Sequence, residues 1–141
     1  MRLAAVALVA ACLASAALAQ EIVEPAFDVE PSSAELVRHY PPQALAQNVS
    51  GIAVLCCAPQ SDGSVACEVS SEWPEGQGFG AASVTASTVY RLTPQSLADL
   101  QTQPGARVRI SMMWAGPVIL PATVERLQRI DGETLDACVG P

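Results

Sequence analysis

Along the chain, hydrophobic and polar positions alternate in a way that separates a few short elements. Residues 51–59, "GIAVLCCAP", form an apolar run too short for a helix of this composition and rich in strand formers. Residues 65–73, "VACEVSSEW", form a second run, and Ser61-Asp62-Gly63-Ser64 between them carries turn chemistry, so the pattern predicts a β-hairpin. Beyond it, Phe79, Ala82, Ala86, Val89 and Tyr90 recur about three or four positions apart, which predicts a helix entered from the loop with glycines at 76, 78 and 80 and ended by Pro94. Val84, Thr85, Thr88 and Val89 are mediocre helix formers, so that helix depends on packing. Residues 106–114, "ARVRISMMW", set Arg107 and Arg109 against Val108, Ile110 and Met112, the alternation of a strand with one wet face and one packed face. Upstream, the prolines at 41 and 42 followed by an Ala/Leu/Gln run and Gly51 predict a short helix from Pro42 to Asn48. "QSLADLQTQPG" reads as a polar connection with room for a helical turn, and the pattern from Gly116 onward leaves the structure open.

The first residues place the chain in a compartment. "MRLAAVALVAACLASAALAQ" has one charge at Arg2, an uncharged apolar core and Ala17-Leu18-Ala19 before Gln20, the layout of a secretory signal peptide. Two weaker alternatives are an uncleaved membrane anchor, at the lower limit of spanning length and mostly alanine, and a lipid on Cys12 after Val9-Ala10-Ala11. Cleavage divides the chain into a signal at 1–19, an acidic leader at 20–33, a folded region at 34–115 and a tail at 116–141. The acidic stretch "EIVEPAFDVEPSSAE", which takes in most of the leader and the two residues after it, has no helix or strand period and reads as a solvated segment.

Charge excludes two classes of partner. The exported chain keeps six arginines, no lysine and 14 acidic residues, so it has no electrostatic footprint for nucleic acid or anionic lipid headgroups. Four cysteines remain, Cys56, Cys57, Cys67 and Cys138, and an even number in an exported chain reads as a disulfide framework. Because side chains alternate faces along a strand, Cys56 and Cys57 point to opposite sides, so one of them meets Cys67 across the hairpin and the other is left to Cys138.

Catalytic and cofactor patterns compete poorly with that reading. The only histidine, His39, precedes the cysteines and there is no CxxC spacing, so neither a metal nor any other cofactor is expected. No basic residue adjoins Cys56 or Cys57 to lower a thiol pKa. There is no Gly-x-Ser-x-Gly elbow for a Ser/His/Asp site, and the glycines at 76–80 do not form a nucleotide cradle after a strand. Glu68 and Glu72 suit a solvated strand better than a paired-carboxylate site. The expectation is a non-enzymatic protein.

The order of parts resembles a known family. "YPPQALAQNVSG", "SDGSV", "EWPEGQGFGAA", "YRLTP" and "RVRISMMW", spanning roughly Ala34 to Ala115, look like the C-terminal domain of TonB, the energy transducer of the Gram-negative envelope, in a cysteine-bearing form. The resemblance implies an α+β fold in which a small antiparallel three-stranded sheet packs against one main helix, with a short N-terminal helix. It makes Cys57 and Cys67 the better-placed hairpin pair, which leaves Cys56 with Cys138. It also implies a periplasmic binding module whose last strand, Arg107, Val108, Arg109, Ile110, Ser111, Met112 and Met113, accepts an extended segment of an outer-membrane receptor as an added strand. The surroundings differ from a complete transducer. About 15 residues separate Gln20 from Ala34, at most about 50 Å when extended, too short to cross the periplasm. The alternative is a free-standing periplasmic structural or adaptor protein without receptor contacts.

Overall fold

The computed structural model describes residues 24–118, 121–133 and 138. The expected signal at 1–19, with its anchor and Cys12 lipid alternatives, lies outside the described residues. In chain order the elements are β1 (Phe27–Val29), α1 (Ser33–His39), α2 (Pro42–Ala46), β2 (Gly51–Pro59), β3 (Val65–Trp73), α3 (Phe79–Ser87), β4 (Arg91–Leu92), α4 (Pro94–Gln101), β5 (Val108–Trp114) and α5 (Pro121–Glu133). The architecture is mixed α and β around an antiparallel sheet ordered β3-β2-β5, with β1 and β4 pairing separately.

The hairpin forms where its turn chemistry lies. Asp62 accepts hydrogen bonds from the backbone N–H and hydroxyl of Ser64, and Gly63 takes a positive φ of 82°, which brings β2 and β3 back antiparallel. β2 is the central strand, and its first seven residues are all buried, which accounts for a nearly uninterrupted apolar run rather than an alternating one.

The two faces of β2 meet different partners. Ala53, Leu55 and Cys57 join Val108, Ile110, Met112 and Trp114 of β5, together with Tyr40, Ala44, Phe79, Ala86, Leu92 and Leu100, in the main core. Tyr40, Phe79 and Trp114 meet at ring-centroid distances of 5.7 to 6.3 Å. The Phe79 ring sits over Gly51, where an added Cβ would approach it to 2.3 Å, so glycine here lets α3 dock without displacing the ring. α3 approaches the sheet through small residues, Gly80, Ser83, Ala86 and Ser87, and the buried Ser83 hydroxyl accepts a hydrogen bond from the Trp114 indole at 2.8 Å. The Glu72 carboxylate accepts from the backbone N–H of Gly80 at the start of that helix, where a negative charge is favoured.

Ile52, Val54 and Cys56 point to the opposite face, against which α5 lies. Leu127 is the only side chain of α5 described as buried; Thr123, Val124 and Ile130 are half-buried on the same stripe, and Arg126 stacks over the Trp73 ring at 4.5 Å. One buried leucine is worth about 1.5–3 kcal/mol, and isolated helices shorter than about 12–15 residues are marginal in water. The covalent bond from Cys56 to Cys138 just beyond the helix therefore matters to its position.

The observed elements differ from the expected ones in several places. Part of the segment expected as a solvated leader is structured: Phe27–Val29 pairs with Arg91–Leu92, and Phe27 packs edge-on against Tyr90 at 4.7 Å. Ser32 and Glu35 form a capping box that starts α1, a helix the hydrophobic pattern did not announce. The helix expected over Pro42 to Asn48 ends at Ala46, and the main helix ends at Ser87, so Val89 and Tyr90 lie beyond it rather than on its face. The polar connection after Pro94 is an eight-residue helix capped by Thr93, and the tail contains α5, so the sheet carries helices on both faces rather than one main helix.

Candidate binding edge

β5 owes its straight alternation to the two faces it separates. Val108, Ile110 and Met112 are buried in the main core, Arg109 and Ser111 are half-buried on the opposite face, Met113 is 40% exposed there, and Arg107 lies exposed immediately before the strand. All seven residues expected at the edge are thus brought together in or beside one strand at the end of the sheet order. Three of them offer no side chain outward.

Backbone direction follows from the ladder. Cys57 and Cys67 are directly opposite with Cα atoms 4.0 Å apart, the close spacing of a non-hydrogen-bonded pair, and Gln60 N–H donates to the Ser64 carbonyl at 2.8 Å, three positions away in the same ladder. The main-chain groups of Cys57 consequently face β5. Since Cys57 pairs with Val108, Leu55 with Ile110, Ala53 with Met112 and Gly51 with Trp114, these four β5 residues supply the ladder to β2. The main-chain groups of Arg109, Ser111 and Met113 point to the outer side. Pro59 fits the same logic, because β5 stops at the partner of Cys57 and the N–H that Pro59 lacks has no strand to meet.

Both disulfides exist as pairs: Cys57 with Cys67 within the hairpin, and Cys56 with Cys138 between β2 and the segment after α5. They are compatible with an oxidising compartment. Among the described residues no helix is long and apolar enough to cross a membrane, and no three His, Cys, Asp or Glu side chains gather as a metal site.

The structure also has a concave feature that carries little signal in the sequence. A cleft of about 450 Å3 lies between the start of α2 and the outer side of α3, with His39, Gln43, Gln77 and Thr85 on its walls. The Gln77 side-chain oxygen is buried there without a hydrogen-bond partner among the described residues, and Thr85 already donates its hydroxyl to the Ala81 carbonyl. Its lining among the described residues holds no carboxylate. The signal in sequence was only the Gly-Gln-Gly loop facing Pro41 and Pro42. No family model matches this chain, and neither the curated proteins nor the solved structures contain a match to it.

Proposed function

We propose that the protein is an exported, non-catalytic binding domain of the TonB C-terminal kind, which takes an extended segment of an envelope protein, such as an outer-membrane receptor, as an added strand along β5. One observation carries this reading: the sheet ends on β5, whose core-facing side chains are buried, so its outer side presents main chain from Arg109, Ser111 and Met113. Main-chain pairing supplies affinity in such recognition, and neighbouring side chains supply choice of partner. Arg107 and Arg109 lie along this edge, a local positive charge that favours a segment carrying carboxylates. Arg109 and Ser111 also hold interactions within the chain.

The signal-like N-terminus, the two disulfides and the five sequence blocks in TonB order support the periplasmic assignment. A role in transport rests on the resemblance alone.

The test is a titration of isotope-labelled protein with synthetic peptides copied from the periplasm-facing segments of outer-membrane receptors, followed residue by residue through amide exchange. Protection should rise at Arg109, Ser111 and Met113 and stay level at Val108, Ile110 and Met112, which already pair with β2. Protection gained along β3, or nowhere, removes this reading and leaves the adaptor protein.

A further inference from the structure

Cross-strand neighbours form rows over the face of the sheet that α5 covers. One row runs Trp73, Ile52, Met113; the next runs Ser71, Val54, Ser111; the third runs Glu68, Cys56, Arg109. Arg107 extends the same side of β5 one step further, exposed immediately before the strand. Every row stops at β5, where the sheet ends. Side chains directly opposite each other on neighbouring strands lie roughly 4.5–5.5 Å apart at Cβ, so a strand added to β5 continues each row with one residue of its own.

The rows end in different chemistry. The first is apolar from Trp73, whose ring lies under Arg126, through the buried Ile52, and it breaks off at Met113, which is 40% exposed. An apolar side chain opposite Met113 would take that surface out of water. The second row ends on the small hydroxyl of Ser111, which a Ser or Thr hydroxyl matches across a ladder. The third ends on Arg109, and Arg107 follows two positions away on the same side, so two carboxylates at alternate positions would each face a guanidinium group.

We infer that the segment taken by this edge runs antiparallel to β5 and reads apolar-x-Ser/Thr-x-acid-x-acid from its N-terminus, with the apolar residue opposite Met113, the hydroxyl opposite Ser111 and the two acids opposite Arg109 and Arg107. The inference rests on strand addition along β5 and adds the partner's direction, register and side-chain order. Direction follows from the sheet itself: β2 pairs antiparallel with both of its neighbours, and parallel pairing is slightly the less stable kind. Order then follows from the rows. Antiparallel pairing sets the first residue of the segment at the Met113 end and its acids at the Arg107 end, while the intervening side chains turn to the other face.

The experiment titrates the isotope-labelled, oxidised protein with two capped heptapeptides of one composition, Val-Gln-Thr-Gln-Glu-Gln-Asp and its reverse Asp-Gln-Glu-Gln-Thr-Gln-Val, and follows amide shifts along β5. The forward peptide should bind about fivefold tighter than the reverse one. A nitroxide on its C-terminus should broaden the amides of Arg107 and Arg109 and spare that of Met113. Arg107 is exposed, so Arg107→Glu leaves the core untouched; it should weaken the forward peptide about tenfold, and Lys in place of the peptide's last residue should restore binding where Lys in place of its first does not. The register is overturned if the reverse peptide binds as tightly or more tightly, if the nitroxide broadens the Met113 end, or if Lys at the last position restores nothing. In each of those cases shifts along β5 leave strand addition standing. No shift along β5 with either peptide removes strand addition, and the register falls with it.

Discussion

Cys57 and Cys67 stand directly opposite each other with Cα atoms 4.0 Å apart, and that spacing fixes the direction of every main-chain group in the sheet's far strand. Through the pairing of Cys57 with Val108, it assigns the main chain of Val108, Ile110 and Met112 to β2 and that of Arg109, Ser111 and Met113 to the outer side. A disulfide on one side of the central strand thus fixes which main-chain groups face outward on the other.

Proline substitutions separate the two sides of β5. Ile110→Pro removes a ladder donor to Leu55 and a buried side chain, and a large loss of thermal stability, with the chain unfolding, is the expected result. Ser111→Pro removes an outward donor, a placement that edge strands tolerate, so a folded protein that no longer takes up the receptor peptide is expected. Arg107→Ala with Arg109→Ala should weaken peptide binding only severalfold. Thermal melts beside peptide titrations check all three, and a Ser111→Pro protein that binds like the parent would mean that pairing does not run along this edge.

Gly51 is a contact point between sheet and helix. Gly51→Ala places a methyl 2.3 Å from the Phe79 ring and 2.7 Å from the Trp73 carbonyl, so a loss of about 1–3 kcal/mol, or more where the ring cannot move, is expected in chemical denaturation. Adding Phe79→Leu should cost less in the Gly51→Ala background than in the parent. Equal costs in both backgrounds would show that the ring is not the obstacle.

How far these features were legible in sequence follows from the signal each one carries. The hairpin and β5 were readable because a strand's period of two and the Ser-Asp-Gly-Ser turn are local. α1 carried a legible start, Ser32 with Glu35 three positions on, hidden among the acidic and proline residues around it. The α3 face was misread because Ser83 and Ser87 count as polar in a pattern, yet each hydroxyl is hydrogen-bonded and buried. β1 has three residues and no period to detect, and its pairing with β4 depends on a contact more than 60 positions distant. The residues of the candidate edge were all readable, whereas which of them face outward required the Cα spacing across the disulfide.

The Ser83–Trp114 bond should behave as a buried polar pair. Ser83→Ala leaves the indole N–H without its acceptor, and the expected cost is about 1–3 kcal/mol. In a Trp114→Phe background, where that donor is already gone, Ser83→Ala should cost a few tenths of a kcal/mol. A double-mutant cycle by urea denaturation measures the coupling, and a value near zero would show that the Ser83–Trp114 bond does not help to hold α3 on the sheet.

Alkali should destabilise the fold through its two tyrosines. Burial raises the pKa of both above the ordinary 10, and at Tyr90 the nearby Glu30 charge adds to the effect; Tyr40 also donates its hydroxyl to the Val49 carbonyl at 2.7 Å, a bond only the neutral form can make. The unfolded chain releases these protons first, so the folded state holds more protons over the interval above about pH 10, and stability falls as pH rises through it. Below that value the contribution is fully present. Phenolate absorbance should therefore rise at higher pH in the folded protein than in urea, and Tyr40→Phe should shift the alkaline unfolding midpoint upward while removing the Val49 bond at neutral pH. Tyrosines that titrate at the same pH in both states would show that neither ring is desolvated by the fold.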